Sequence, residues 1–334
     1  MIENVELTLS HVGLGCLNEY ALITLFTNAL FHRLSVGKQR PPQAIVDKNG
    51  EVLYPGYYMT HLTVPPGRPL ERYSAWQTYS IGADVQVFGG MLMESRYILG
   101  DAGEISDDPQ SWDSNSFPSM RGSSMFIVDR IGREPQVSIP KAGLIDHLPK
   151  LTTAPTAMDK FRKLRSQGTA EMQFRGNVPS CRPVVYKVEP GRDAAAGQDR
   201  IYVSHTMLFA KFVEIMDHAE RVFLTEEAWP PFPTRLMDCR TVIERETYYF
   251  GTPEPDDTIQ TGITAQLNSC AADFHGLSSE IIPAGLLTFM IEVYHRRTNS
   301  LLAVSKVTKL LAVPSSEQSL LHDTQRLISH YCSQ

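Results

Sequence analysis

Cysteines are few in this chain, and their spacing pairs none of them. There are five (Cys16, Cys181, Cys239, Cys270 and Cys332), an odd number, widely separated and without a Cys-x-x-Cys. Neither a zinc site nor a disulfide framework is indicated, and reduced thiols are expected. No run approaches the roughly 18 apolar residues that a membrane helix needs. The opening MIENVELTLSHVGLG lacks the basic n-region and long apolar core of a secretory signal. A cytoplasmic location without membrane contact is therefore expected. A basic stripe is also missing: the arginines are scattered and the formal net charge is −6, which argues against nucleic acid as a partner. With 42% hydrophobic and 20% charged residues, nothing points to disorder. The 334 residues are enough for about two domains, each with its own core.

Two helices stand out by period. In residues 17–34, Leu22, Leu25, Phe26, Ala29 and Leu30 recur at spacings of three and four. In 204–223 the stripe is Leu208, Phe212, Ile215, Met216, Ala219 and Val222, with Ser204 as the expected N-cap. Strand-like segments follow each helix: 51–64, 77–88 and 90–99 after the first, then 241–250, 258–267, 286–296 and 301–311 after the second. Arg297-Thr298-Asn299-Ser300 reads as a hairpin turn, and 107–124, rich in Asp, Ser, Pro and Gly, as an irregular loop. A long apolar helix followed by an antiparallel meander, occurring twice, is the pattern of a helix wrapped by a curved sheet. The expected fold is α+β, a tandem double hot dog: 1–150 the first unit with an inserted loop at 101–124, 151–169 a linker, and 170–334 the second unit with a C-terminal helix.

Four segments carry a family resemblance: HVGLGCLNEYALI (11–23), VDKNGEVLYPGYYMTHLTV (46–64), YKVEPGRDAAAGQDRIYVSHTMLFAKFVEIMDHAER (186–221) and RTVIERETYYFGTPEPDDTIQ (240–260). In order and spacing they resemble the double hot-dog decarboxylase/acyltransferase family of polyketide biosynthesis, the leinamycin-type methylmalonyl-CoA enzymes. The resemblance implies a coenzyme A thioester as substrate, no metal or redox cofactor, and an acyl carrier protein as the partner that receives the acyl group. It also implies a tyrosine nucleophile on the strand after the first helix. In Tyr54-Pro55-Gly56-Tyr57-Tyr58 that is Tyr58, with Tyr57 as the alternative because strand neighbours point to opposite faces. The chain departs from the family at Ala194-Ala195-Ala196-Gly197, where an Asn-Gly is common, and at Asn18, where a Ser is common.

The other candidates come from chemistry. Decarboxylation of a malonyl-type thioester develops an enolate oxygen that needs hydrogen-bond donors. Gly13, Gly15 and Cys16, ahead of the first helix, can offer backbone N–H groups, or the glycines merely turn the chain. Asn18 can bind a substrate carbonyl or only helix backbone. Cys16 is either a nucleophile with a lowered pKa or a small packed residue. His61, placed near the substrate, lies three residues past Tyr58 and so on the opposite face of a regular strand; the two stay unpaired unless a bulge or another strand brings them together. Glu214 and Asp217 on the second helix are the alternative acid/base groups: similarity to hot-dog dehydratases, which pair a His of one half with an acid on the other half's central helix, and to hot-dog thioesterases, which use a helix carboxylate, implies His61 with Glu214 or Asp217 acting on a carrier-bound substrate. They can equally be a solvated face, with Asp217 pairing to Arg221 at i,i+4. A non-catalytic module that binds acyl groups or carriers is the remaining reading. Arg121, Arg130 and Arg133 are candidates for coenzyme A phosphates. Monomer and homodimer are both open.

Overall fold

The computed structural model describes residues 1–8, 16–35, 45–128, 136–168, 172, 174–178, 184–187, 202–203, 206–207, 209–253, 257–270, 274 and 276–332. In chain order the elements are β1 (Ile2–Glu6), α1 (Glu19–Ser35), β2 (Leu53–Thr63), β3 (Thr78–Phe88), β4 (Leu92–Asp101), β5 (Ser119–Val128), β6 (Gln136–Val137), α2 (Ala157–Gln167), β7 (Val184–Lys187), β8 (Tyr202–Val203), β9 (Thr206–Met207), α3 (Phe209–Val222), β10 (Arg240–Tyr249), β11 (Thr258–Ser269), β12 (Ile281–His295), β13 (Leu301–Pro314) and α4 (Gln318–Cys332).

Helix α1 forms where the apolar stripe predicts it. Leu22, Leu25, Phe26, Ala29 and Leu30 are all buried. Glu19 stands in its first turn and His32 and Arg33 in its last, each favourable to the helix dipole. Helix α3 buries Phe212, Ile215, Met216 and Ala219 but starts five residues later than the period suggests. Thr206–Met207 is instead extended and pairs with Tyr202–Val203; Ser204 itself lies outside the described residues.

Ten of the strands form one sheet path in the order β1-β3-β4-β5-β2-β10-β13-β12-β11-β7, with β6 paired to β5 at the side. Every pairing between these strands is antiparallel. The path has an internal repeat. Read outward from the middle, β2-β5-β4-β3-β1 matches β10-β13-β12-β11-β7, each with its helix immediately before the central strand. The halves meet where β2 pairs with β10, from Thr63 opposite Glu244 to Met59 opposite Tyr248.

The two faces of the sheet are dressed differently. Helices α1 and α3 touch each other and lie on one face, over the main core. On the other face α2 lays Met158, Phe161 and Leu164 over Tyr58, Leu92, Tyr248, Met290 and Val304. Helix α4 packs against β11 and β12.

Strand β5 begins inside the stretch read as loop. Ser119–Ser124 is composed like a turn, yet Met120, Gly122, Ser123 and Ser124 are all buried in the strand. Gly122 is small for a reason: a Cβ there would stand 2.2 Å from Tyr57 Cε1. The hairpin at 297–300 forms as expected, with Asn299 at φ 54° and the His295 N–H donating to the Ser300 carbonyl.

Candidate functional site

The faces of β2 decide the roles of its candidate residues. Leu53, Pro55 and Tyr57 point to the helix side. A register shift between Tyr57 and Met59 then puts an extra residue into the strand. Past this β-bulge the helix-side residues are Thr60 and Leu62. Tyr58 and Met59 therefore both face α2, and His61 follows on that same outer face. The regular-strand expectation that Tyr58 and His61 face apart is thus corrected by the bulge. They are still not matched with each other. His61 Nε2 is 2.8 Å from Glu244 Oε1, also on the outer face.

Tyr58 is 2% exposed, tilted against Phe161 at 5.3 Å between centroids. Its hydroxyl has no hydrogen bond among the described residues. Burial pushes its phenol up to about 12, with the Ser123 hydroxyl pulling weakly the other way. Among the described residues no base is hydrogen-bonded to it, and the nearby Glu94 charge raises the phenol further, so the geometry of an acyl acceptor is not assembled there. Tyr57 is the tyrosine on the helix side. Its hydroxyl is 2.7 Å from that of Tyr97, and its ring packs on Phe209 at the start of α3. Burial raises the Tyr57 phenol strongly. Ser124, opposite Tyr57 in the register, has a buried hydroxyl with no partner among the described residues.

At the start of α1, Asn18 Oδ1 accepts the Ala21 N–H at 2.8 Å, an N-cap contact that ties its carbonyl to the helix backbone. The Cys16 backbone pairs antiparallel with that of Ser74, and burial followed by the Glu71 charge raises its thiol. That is the reverse of an activated nucleophile. Gly13 and Gly15 lie outside the described residues, as do Arg130, Arg133 and 194–197. Arg121 stands on β5 opposite His61 and Arg96.

Helix α3 separates its two candidate acids. Glu214 is exposed and paired with Lys211 at 2.6 Å, three residues away, a surface helix pair. Asp217 is different: its Oδ1 is 2.6 Å from the Nζ of Lys309, on β13. Arg221, its expected partner, turns to Asp238 instead, at 3.9 Å. Asp217 and His61 stand on opposite faces of the sheet, so the acid/base pair drawn between them does not form.

Around Lys309 lies a buried ionic group that joins the halves. Lys309 Nζ is 2.6 Å from Glu220 Oε2 and 3.6 Å from Glu19 Oε1, and its side chain is 4% exposed. Arg245, on β10, donates to Glu19 through Nε and Nη2 and reaches Glu220 at 3.2 Å. Arg240 Nη1 stands 3.5 Å from Glu220 Oε2. Three acids thus face three bases, and neutrality is what a site this dry demands. Burial alone would raise the Asp217 carboxyl, yet Lys309, then Arg240 and Arg245, hold it well below the usual carboxylate range. Burial likewise opposes ionisation of Glu19, and Arg245 and Lys309 outweigh it. Asp217 remains open to solvent, with a side chain 44% exposed.

Sequence reasoning missed Arg245 and Lys309. The signal was available in strand parity. Lys309 shares its parity with the buried Ala303, Ser305, Val307 and Leu311 of β13, and a lysine in such a row needs acidic partners. Among the described residues no group of three or more His, Cys, Asp or Glu could hold a metal ion. None of the described helices is long and apolar enough to cross a membrane.

The strand order, the two helices on one face and the overall course of the chain define a hot-dog fold. Solved structures share it over almost the full length. An acyl-ACP thioesterase from Bacteroides thetaiotaomicron matches at a TM-score of 0.53 and 13% identity, covering 92% of this chain and 97% of its own. A Lactobacillus plantarum protein assigned as an oleoyl thioesterase matches at 0.57 and 8% identity, covering 94% and 96%. No protein-family model matches the chain, and no curated protein matches it by sequence.

Proposed function

We propose that this chain is a tandem double hot dog, with its linker around α2, that hydrolyses an acyl thioester of coenzyme A or a carrier protein. Asp217 is the carboxylate that does the work. The observation that carries this reading is the state of Asp217: ionised by Lys309, open to solvent, and on a central helix beside the seam between the halves. Held ionised, the carboxylate orients a water by accepting its hydrogen and takes the proton only as the water oxygen attacks the thioester carbonyl, with less basicity than an ordinary carboxylate has. The C–S bond then breaks, the proton passes to the departing thiolate, and a free acid and a thiol remain. The solved thioesterases of the same fold support the choice of substrate.

Decarboxylation with transfer to a carrier is the second reading. What favours it is Tyr57, on the helix side, bonded to Tyr97 and packed on Phe209 at the start of α3. Tyr58 is the weaker acceptor because it is buried under α2, away from both central helices.

One assay separates the readings. Acetyl-, decanoyl- and methylmalonyl-coenzyme A are each incubated with the protein, with and without a phosphopantetheinylated carrier protein. Free thiol is followed by a chromogenic reagent and the carrier is weighed. Hydrolysis gives thiol and free acid without the carrier, and Asp217→Asn lowers kcat by about 10²–10⁴. A carrier gaining a propionyl mass from methylmalonyl-coenzyme A, with Asp217→Asn fully active, overturns hydrolysis in favour of transfer.

A further inference from the structure

Lys309 is buried and carries a charge, and its position is unlike that of any other lysine described. It sits on the helix-side row of β13, and its Nζ reaches acids from both halves: Asp217 and Glu220 on α3, and Glu19 at the first turn of α1. Only Asp217 among these three is substantially open to solvent. Glu220 is fully buried and Glu19 nearly so. The rest of the electrostatic surroundings of Asp217 comes from β10, where Arg240 and Arg245 both contact Glu220 and Arg245 also binds Glu19. Glu19 and Glu220 are thus largely matched by the two arginines. The lysine completes the balance and is the direct partner of the open carboxylate.

Resting on the reading of Asp217 as the working carboxylate, we propose that Lys309 is its positioning residue. It fixes the Asp217 Oδ1 by a short ion pair while the side chain as a whole stays partly open to solvent, and it keeps the carboxylate ionised across the acid side of the pH range. The physical reason is distance and dryness. An ammonium within about 4–6 Å lowers a carboxyl pKa by about 1–3 units, and burial of the lysine reduces screening of the pair by water and salt. Without Lys309, Asp217 would sit beside the two other acids with only the more distant arginines to offset them. It would then titrate higher and lose its fixed rotamer. Arginine can preserve the charge, though its planar fork fits a point-charge site imperfectly.

The test compares Lys309→Met, Lys309→Arg and the double variant Lys309→Met/Glu220→Gln in the full chain. The double variant removes one positive and one negative charge, so the cluster stays balanced if the single variant fails to fold. Two quantities are read: the acid-side midpoint of kcat/KM on whichever of the three coenzyme A esters turns over fastest, and the titration of the Asp217 carboxyl by NMR with 13C-labelled aspartate, assigned by its loss in Asp217→Asn. Both midpoints are expected to move upward by about 1–3 pH units in the methionine variants, with Lys309→Arg staying near the parent. A carboxyl midpoint unchanged in a folded methionine variant overturns the proposal. Failure of the catalytic reading looks different: Asp217→Asn then keeps full turnover, while the NMR titration still reports whether Lys309 governs the carboxyl.

Discussion

The halves of this protein share a strand order and differ in what lies between sheet and helix. Beneath α1, β2, β4 and β5 present neutral polar groups: the paired hydroxyls of Tyr57 and Tyr97, Ser95 donating to the Gly122 carbonyl, and Ser124, whose hydroxyl has no partner among the described residues. Beneath α3, the matching strands β10 and β13 present Arg245 and Lys309 to Asp217 and Glu220. The same architecture can thus carry a neutral interior or an ionic one. A neutral hydroxyl left alone in a core costs little more than its desolvation. A charge left alone costs far more and forces its neighbours to be chosen with it. The ionic half is therefore the more tightly determined, and it borrows Glu19 from the other half to complete itself.

The largest break in this comparison is expected from removing Glu220. In Glu220→Ala, Arg240, Arg245 and Lys309 face one fewer acid in a dry site, and removing one member of a buried ion pair typically costs about 3–5 kcal/mol. Ser124→Ala, in the neutral half, removes a buried hydroxyl that has no partner among the described residues and should leave the protein as stable as the parent or slightly more so. Urea unfolding of the two variants beside the parent measures both. Equal effects would mean that the ionic group is no more determined than its neutral counterpart.

Acid should act next, and on the same half. The Glu19 carboxyl is lowered in the folded state: burial resists its ionisation, but Arg245 and Lys309 prevail. A depressed folded-state pKa gives stability that is fully present above the unfolded value of about 4.3 and is lost as pH falls below it toward the folded value. The urea midpoint should thus hold between pH 7 and pH 5 and decline below about pH 4.3. Asp217, shifted in the same direction, adds to the decline. Glu19→Gln should make that acid limb shallower. An acid limb as steep in Glu19→Gln as in the parent would show that the loss arises elsewhere.

Much of this frame was legible from the chain alone, because periodicity reports burial. The stripe of α1 and the alternation of β3, β10 and β11 follow the rule that an element turns its apolar side to a core, and these elements fall within a few residues of their expected places. What escaped was non-local. Parity places Tyr58 and His61 on opposite faces only if the strand is regular, and one extra residue at the bulge reverses the conclusion. Asp217 drew attention as a helix carboxylate. Its local partner at i,i+4, Arg221, lost to a lysine 92 residues away, since a buried ammonium needs the acid more than an exposed guanidinium does. The composition of 119–124 suggested a loop because glycine and serine are common in turns. Here Gly122 is small because Tyr57 lies across it.

The smallest expected effect separates the adjacent tyrosines. Tyr57→Phe removes a hydroxyl bonded at 2.7 Å to Tyr97, whose hydroxyl keeps Ser95 as a polar neighbour. A loss of about 0.5–1.5 kcal/mol is expected. Tyr58→Phe removes a hydroxyl that is buried without a hydrogen bond among the described residues. Its ring contact with Phe161 and its place under α2 are kept, and the desolvation cost of the lone hydroxyl disappears. That variant should be as stable as the parent or slightly more so, with turnover unchanged. The two substitutions are chemically identical and one residue apart, so any difference between them reports the face on which each ring lies. Loss of activity in Tyr58→Phe with stability intact would place chemistry on the α2 side of the sheet and return the acyl-acceptor role to Tyr58.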